Sequence, residues 1–303
     1  MSDKEIISRI NKLRKERNAV IVAHNYQRPE VQDIADYVGD SLGLSQEASK
    51  TKAGIILFCG VHFMAETAAI ICPDKTVLVP DINAGCPLAN MITVRQLREE
   101  KAKHPDAVVV TYINSSAAIK AESDYCCTSS NAVKVVNAIP CDKDIIFIPD
   151  QSLGSYVVSQ TGCKLILWKG YCPTHHRILA KDILERKKLY PNAKVVVHPE
   201  CLPEVIALAD KVASTTGILK YCHETDAKEF IIGTEIGLLH RLKKDNANKI
   251  FIEASKLADC PNMKLNTLEK ILWSLEDMVY RVTVPDEIAR KARLSIQRML
   301  EII

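Results

Sequence analysis

A chain of 303 residues with 47% apolar content can bury a substantial core, as one large domain or as two to three smaller ones. Its 40 basic and 37 acidic residues are intermixed and leave a formal charge of only +3. That balance excludes a strong field for nucleic acid or a membrane surface and leaves small molecules as the expected partners. Eleven cysteines, an odd number without one Cys-x-x-Cys pair, argue against a disulfide framework, a zinc ribbon and a thioredoxin-type site.

Residues 1–18 are charged, with Ile6, Ile10 and Leu13 at helical spacing and no apolar core of a signal peptide. The longest apolar run, 53–65, contains His62 and stops at Glu66, well short of a membrane span. The expectation is a cytoplasmic protein.

From residue 17 onward the chain repeats itself. Segments 17–24, 105–112 and 191–198 superpose without a gap, at offsets of 88 and 86 residues. Each holds a short run rich in valine and isoleucine, as expected of a buried strand in a parallel sheet. A polar cluster follows each run: His24-Asn25-Tyr26, Tyr112-Ile113-Asn114 and His198-Pro199-Glu200. Tyr26, Asn114 and Glu200 are therefore equivalent positions.

An amphipathic helix is expected next, clearest in the first copy through Val31, Ile34, Ala35 and Val38. It leads into aligned stretches beginning at Asp36, Asp124 and Asp210, which make Ser41, Ser129 and Thr215 equivalent. A hydroxyl residue before a helical stretch predicts an N-cap. A second strand follows (55–58, 145–148 and 230–232), then a helix or loop, a last strand, and a cysteine: Cys86, Cys172 and Cys260, at spacings of 86 and 88. Each repeat thus reads as a βαβαβ unit. The divisions are 1–104 with the N-terminal helix, 105–190 and 191–277, with linking helices at 97–103 and 183–189. Residues 278–303 form a tail of one strand (279–284) and one helix. That helix starts at Pro285-Asp286-Glu287 and carries a solvated basic face of Arg290, Lys291, Arg293 and Arg298. A further helix, 267–276, precedes this tail.

In parallel α/β units ligands bind beyond the carboxyl ends of the strands. Three similar units packed about a pseudo-threefold axis with those ends inward would enclose one cavity, and each would contribute a strand-end cluster, a helix start and a cysteine. Three thiolates without a fourth suit a 4Fe-4S cluster with one open iron. Zinc with three thiolates and water is the alternative metal, and three cysteines that merely pack as small hydrophobes is the alternative without one. The other eight cysteines read as structural. Helix starts at Ser41, Ser129 and Thr215 would attract carboxylate or phosphate. Tyr26, Tyr112, His24, His198 and Glu200 supply candidate acids and bases, and Glu200 is the one carboxylate among the three aligned positions. An iron-sulfur sensor or electron carrier would not need them.

The motifs His24-Asn25-Tyr26-Gln27, Gly39-Asp40-Ser41-Leu42, Tyr112-Ile113-Asn114-Ser115, His198-Pro199-Glu200-Cys201, Gly233-Thr234-Glu235-Ile236-Gly237 and Asn262-Met263-Lys264 resemble those of the iron-sulfur quinolinate synthases. The resemblance covers nearly the whole chain. It implies three homologous Rossmann-like α/β units around a central active site, with a 4Fe-4S cluster on Cys86, Cys172 and Cys260. It implies a transferase that condenses iminoaspartate with dihydroxyacetone phosphate to quinolinate, phosphate and water for NAD biosynthesis, with L-aspartate oxidase or aspartate dehydrogenase as upstream supplier. By motif, His24 and Ser41 resemble ligands of the iminoaspartate carboxylates. Tyr112, Asn114, Ser129, His175, His198, Glu200 and Thr215 resemble further substrate contacts. Among the catalytic candidates Glu200, Tyr26, Tyr112 and His198, the first two resemble the proton-transfer groups. An aconitase-like hydro-lyase would also use three cysteines and an open iron.

Overall fold

Each valine- and isoleucine-rich run is a parallel strand covered by helices on both faces of its sheet, which is why its apolar residues are continuous rather than alternating. The computed structural model describes residues 1–140 and 142–302. It is an α/β protein of three parallel four-stranded sheets. Cys141, one of the eight cysteines expected to be structural, lies outside the described residues.

The first unit runs α1 (Asp3–Glu16), β1 (Ala19–His24), α2 (Pro29–Ile34), β2 (Tyr37–Gly39), α3 (Ser41–Lys50), β3 (Ile55–Cys59), α4 (His62–Ile71), β4 (Thr76–Leu78) and α5 (Val94–Lys103). The second repeats this as β5 (Val108–Tyr112), α6 (Ala117–Ala121), β6 (Tyr125–Cys127), α7 (Ala132–Asn137), β7 (Ile145–Ile148), α8 (Gln151–Thr161), β8 (Leu165–Leu167) and α9 (Ala180–Leu189). The third is β9 (Lys194–Val197), α10 (Pro203–Ile206), β10 (Lys211–Val212), α11 (Thr215–Glu224), β11 (Glu229–Gly233), α12 (Leu238–Asp245) and β12 (Ile250–Glu253), followed by α13 (Leu268–Asp277) and α14 (Asp286–Glu301). Strand order is the same in all three sheets, β2-β1-β3-β4 and its equivalents. Every pairing is parallel, so all carboxyl ends of one sheet emerge on one side.

Two expectations are corrected. The helix expected through Val38 ends at Ile34, and Tyr37–Gly39 is instead a fourth, edge strand beside β1, matched by β6 and β10. An aspartate explains the change. The Asp36 N–H donates to the Ile21 carbonyl at 2.8 Å while its Oδ2 accepts the Ile21 N–H, also at 2.8 Å. Asp124 does the same with Val109, and Asp210 with Val195. The carboxylate stands in for a neighbouring strand's carbonyl where the edge strand has not yet begun, and so draws the chain out of the helix. The second correction concerns residues 279–284, expected as a strand. They form only an isolated antiparallel bridge of Arg281 to Leu78, next to which Val79 and Tyr280 exchange backbone hydrogen bonds.

Helix α14 packs on α6, β6 and α4, and so spans the first two units. Of its four cations, Arg290, Lys291 and Arg298 are exposed as expected. Arg293 instead donates to the Ile70 carbonyl at 2.9 Å, at the carboxyl end of α4, where a cation is favoured.

Asp124→Ala strands the buried Val109 N–H and should lower unfolding stability by about 1–3 kcal/mol. Asp124→Asn, which keeps an acceptor, should lose less, as chemical denaturation of the two variants beside wild type would show.

Candidate active site

The carboxyl ends of all three sheets open onto one cavity, and every residue singled out from the sequence lines it. The first unit contributes His24, Tyr26, Ser41 and Cys86; the second, Tyr112, Asn114, Ser129, Cys172 and His175; the third, His198, Glu200, Thr215 and Cys260.

None of the three expected capping residues is the cap: two helices are capped one residue earlier and the third two residues later. Asp40 caps α3, accepting the Gly43 N–H at 2.8 Å, and Ser214 caps α11, accepting the Gly217 N–H at 3.2 Å. Ser41 and Thr215 are therefore first helical residues, with hydroxyls released from capping. Thr215 Oγ1 receives the Asn25 side-chain amide at 2.9 Å, whereas Thr216 is exposed. Ser129 precedes the capping residue of α7, Asn131, by two positions. Ser130 joins the three units, since its Oγ donates to Asp40 Oδ2 at 2.9 Å and lies 2.9 Å from Ser214 Oγ.

Beyond the strand ends, His24 Nδ1 accepts the Tyr26 N–H and His198 Nδ1 accepts the Glu200 N–H. Each imidazole therefore carries its proton on Nε2, and that of His198 meets Ser129 Oγ at 3.2 Å. Burial pushes His24 down to about 4 and His198 down to about 3, so both are neutral near pH 7.

Glu200 is paired with His175, Oε2 to Nδ1 at 2.6 Å. Burial acts to raise the Glu200 pKa, but the His175 charge and hydrogen bond override it and hold the carboxylate ionised. Its Oε1 is buried without a hydrogen-bond partner. Asp150, beneath the same site, is pushed the other way by burial and by the Glu200 charge. The two carboxyls are thus pushed in opposite directions. Tyr26 OH lies 2.6 Å from Thr234 Oγ1, which is 3.0 Å from His175 Nε2. Burial and the Glu200 charge hold Tyr26 and Tyr112 well above the usual phenol range, so both are intact O–H donors.

Among the ten described cysteines, Cys86, Cys172 and Cys260 are the three that are half-buried, the others being buried. Burial of their thiols within the cavity walls still raises all three, Cys86 to about 12. Such a set becomes thiolate only when a cation joins it, so its chemistry fits a metal centre better than a nucleophile. Cys172, His175 and Glu200 also bring ligand atoms within 4.8 Å of one another. In that trio His175 Nδ1 is bonded directly to Glu200 Oε2, while Glu200 Oε1 is left without a partner. The Cys260 loop is pinned to the first unit, with Asn262 Nδ2 donating to the Gly85 carbonyl at 2.7 Å beside Cys86.

Across known proteins, the family model described as quinolinate synthetase A protein matches residues 8–301. The chain belongs to the quinolinate synthase family. It is 57% identical to the quinolinate synthase of Methanosarcina barkeri over 302 residues, covering 100% of this chain and 99% of that protein. It is 56% identical to that of Geotalea uraniireducens, with the same coverage, and 55% identical to that of Dehalococcoides mccartyi strain BAV1, covering 99% of each. The match to this family runs through all three units, so no unit is an appendage. Among the described residues no helix is long and apolar enough to cross a membrane.

Sequence reasoning did not single out Asp40, Ser130 or Thr234 as site residues. Their partners lie in other units, which no local pattern reveals.

Because His24 and His198 are neutral when folded and protonatable when unfolded, folding stability is complete above about pH 6.5 and is lost as pH falls toward 4. The chain should lose about 2 kcal/mol per histidine between pH 7 and pH 5. His198→Asn should flatten that slope in denaturant titrations.

Proposed function

We propose that this chain is the quinolinate synthase of NAD biosynthesis, a transferase that condenses iminoaspartate with dihydroxyacetone phosphate and releases phosphate and two waters. An aspartate-oxidising enzyme, L-aspartate oxidase or aspartate dehydrogenase, would supply the imine. The observation that carries this reading is the meeting of thirteen motif residues from three units in one cavity, together with a family match over nearly the full chain.

Cys86, Cys172 and Cys260 would hold a 4Fe-4S cluster, whose open iron would supply Lewis-acid polarisation of a substrate oxygen or nitrogen. The remaining work falls to the chain's own groups. Ser41 and Thr215, at the starts of ten-residue helices, offer hydroxyls and unpaired N–H groups to the carboxylates of the imine, helped by the helix dipole. His24 adds its Nε2–H, and Asn114 and Ser129 complete the polar wall of the second unit. Because Glu200 is ionised and has a free oxygen, it serves as the base that removes carbon-bound protons during isomerisation. Tyr26, held as a phenol, serves as the acid that protonates a leaving hydroxyl, with Tyr112 and His198 placed to steady the same charge. The apolar wall made by the buried Val61, Phe63, Met64 and Leu88 limits the access of bulk water to those steps.

Protein purified without oxygen should contain roughly four iron and four sulfide per chain. One zinc and no sulfide after attempted reconstitution would overturn the cluster. Cys86→Ala, Cys172→Ala and Cys260→Ala should each abolish iron retention. Glu200→Gln should leave iron intact while lowering quinolinate formation roughly 10³-fold, and an unchanged rate would remove Glu200 from the mechanism.

A further inference from the structure

Glu235 is fully buried yet makes three contacts that all bear on the site. Its Oε1 accepts the Cys260 N–H at 3.0 Å and lies 2.8 Å from Lys264 Nζ, and its Oε2 accepts the Gly237 N–H at 2.7 Å. Lys264 then reaches across to the first unit, where its Nζ donates to the Tyr26 carbonyl at 2.5 Å. The Asp259 carboxylate stands farther off, at 3.8 Å. These groups converge on Gly237, where a Cβ would come within 2.8 Å of Glu235 Oε2, of Lys264 Nζ and of the Tyr26 carbonyl oxygen alike. Gln32 closes the same junction by donating to the carbonyls of Gly237 and Gln27, at 2.9 and 2.8 Å.

We propose that Glu235 and Lys264 are positioning residues: the pair seats the loop of Cys260 and the backbone of Tyr26 against each other, holding the third cysteine and the phenol at one separation. The inference rests on the reading of Cys260 as a cluster ligand and Tyr26 as a proton-transfer group. Neither Glu235 nor Lys264 needs to touch substrate. A buried carboxylate that receives a ligand's own backbone N–H fixes where the thiol stands, because the N–H and the side chain share one Cα. An ammonium shared between that carboxylate and a carbonyl of another unit transmits the restraint across the cavity.

Comparison of the three units supports a dedicated role. Two residues past the third strand of each sheet stand Val61, Asp150 and Glu235. Asp150 caps α8 by accepting the Leu153 N–H at 2.8 Å, and Val61 offers no carboxylate at all. Only the third unit joins this position through a lysine to another unit.

The experiment uses the full chain in its iron-free form, so that it does not depend on cluster assembly or on the reaction. Alkylation by iodoacetamide is followed at Cys86, Cys172 and Cys260 by mass spectrometry, and backbone hydrogen exchange is followed in the peptide containing Tyr26. In Lys264→Met, Cys260 should be labelled about tenfold faster. The Tyr26 peptide should exchange faster too, while Cys86 and Cys172 keep their wild-type rates. Because Lys264→Met leaves a buried carboxylate alone and could unfold the chain, the charge-neutral double variant Glu235→Gln with Lys264→Met is measured beside it and should show the same selective pattern. Lys264→Arg should restore both rates toward wild type. A wild-type rate at Cys260 or in the Tyr26 peptide, or an equal rise at all three cysteines, in the folded double variant would overturn the proposal. Absence of quinolinate formation would not bear on it.

Discussion

Ser130, one hydroxyl shared between the cap of α3 in the first unit and the cap of α11 in the third, shows the constraint on which the site depends. A parallel sheet leaves its polar strand ends on one side. When three such sheets face one another, those ends are removed from water and must find partners across the gap. Many polar contacts in the cavity therefore cross between units: Asn25 to Thr215, Tyr26 to Thr234, His198 to Ser129, Asn262 to Gly85. Satisfying buried hydrogen-bonding groups and assembling a catalytic constellation are one requirement here.

The electrostatics follow from that enclosure. Burial alone would neutralise every group, making histidines basic only in acid and thiols and phenols unreactive. Glu200 escapes because His175 lies 2.6 Å away, and it becomes the one carboxylate in the cavity held ionised by a partner from another unit. Asp150 behind it has no such partner, and burial together with the Glu200 charge pushes it the opposite way. The thiols differ from the other groups in needing a bound cation to ionise.

Much of this was legible in the chain because the repeat is written in residue types with direct physical meaning. Valine-rich runs specified the central strands, and fixed offsets placed the cysteines and strand-end residues together before any coordinates. Edge strands β2, β6 and β10 were not legible. They are two or three residues long, and Val38 in β2 happens to fit a helical spacing with Val31 and Ile34. The aspartates that extend the chain there were seen as aligned but not understood, since their role depends on which N–H of β1, β5 or β9 is left without a strand beside it. Caps shifted by one residue at α3 and α11 because Asp40 and Ser41, or Ser214 and Thr215, are equally good capping types; the residues that do cap are the ones that meet Ser130 of another unit. The bridge at Arg281 replaced an expected strand because β4 pairs with the tail at one register position only.

The three copies agree at the scaffold aspartates Asp36, Asp124 and Asp210 yet differ at the equivalent strand-end positions Tyr26, Asn114 and Glu200. A cavity with perfect threefold repetition would accept a ligand in three degenerate poses, each rotated by a third of a turn, and two of every three encounters would be wasted. One phenol, one amide and one carboxylate around the ring lift that degeneracy. Divergence at these positions thus gives the site a single orientation, so that a molecule with unlike ends meets unlike groups in one sense only.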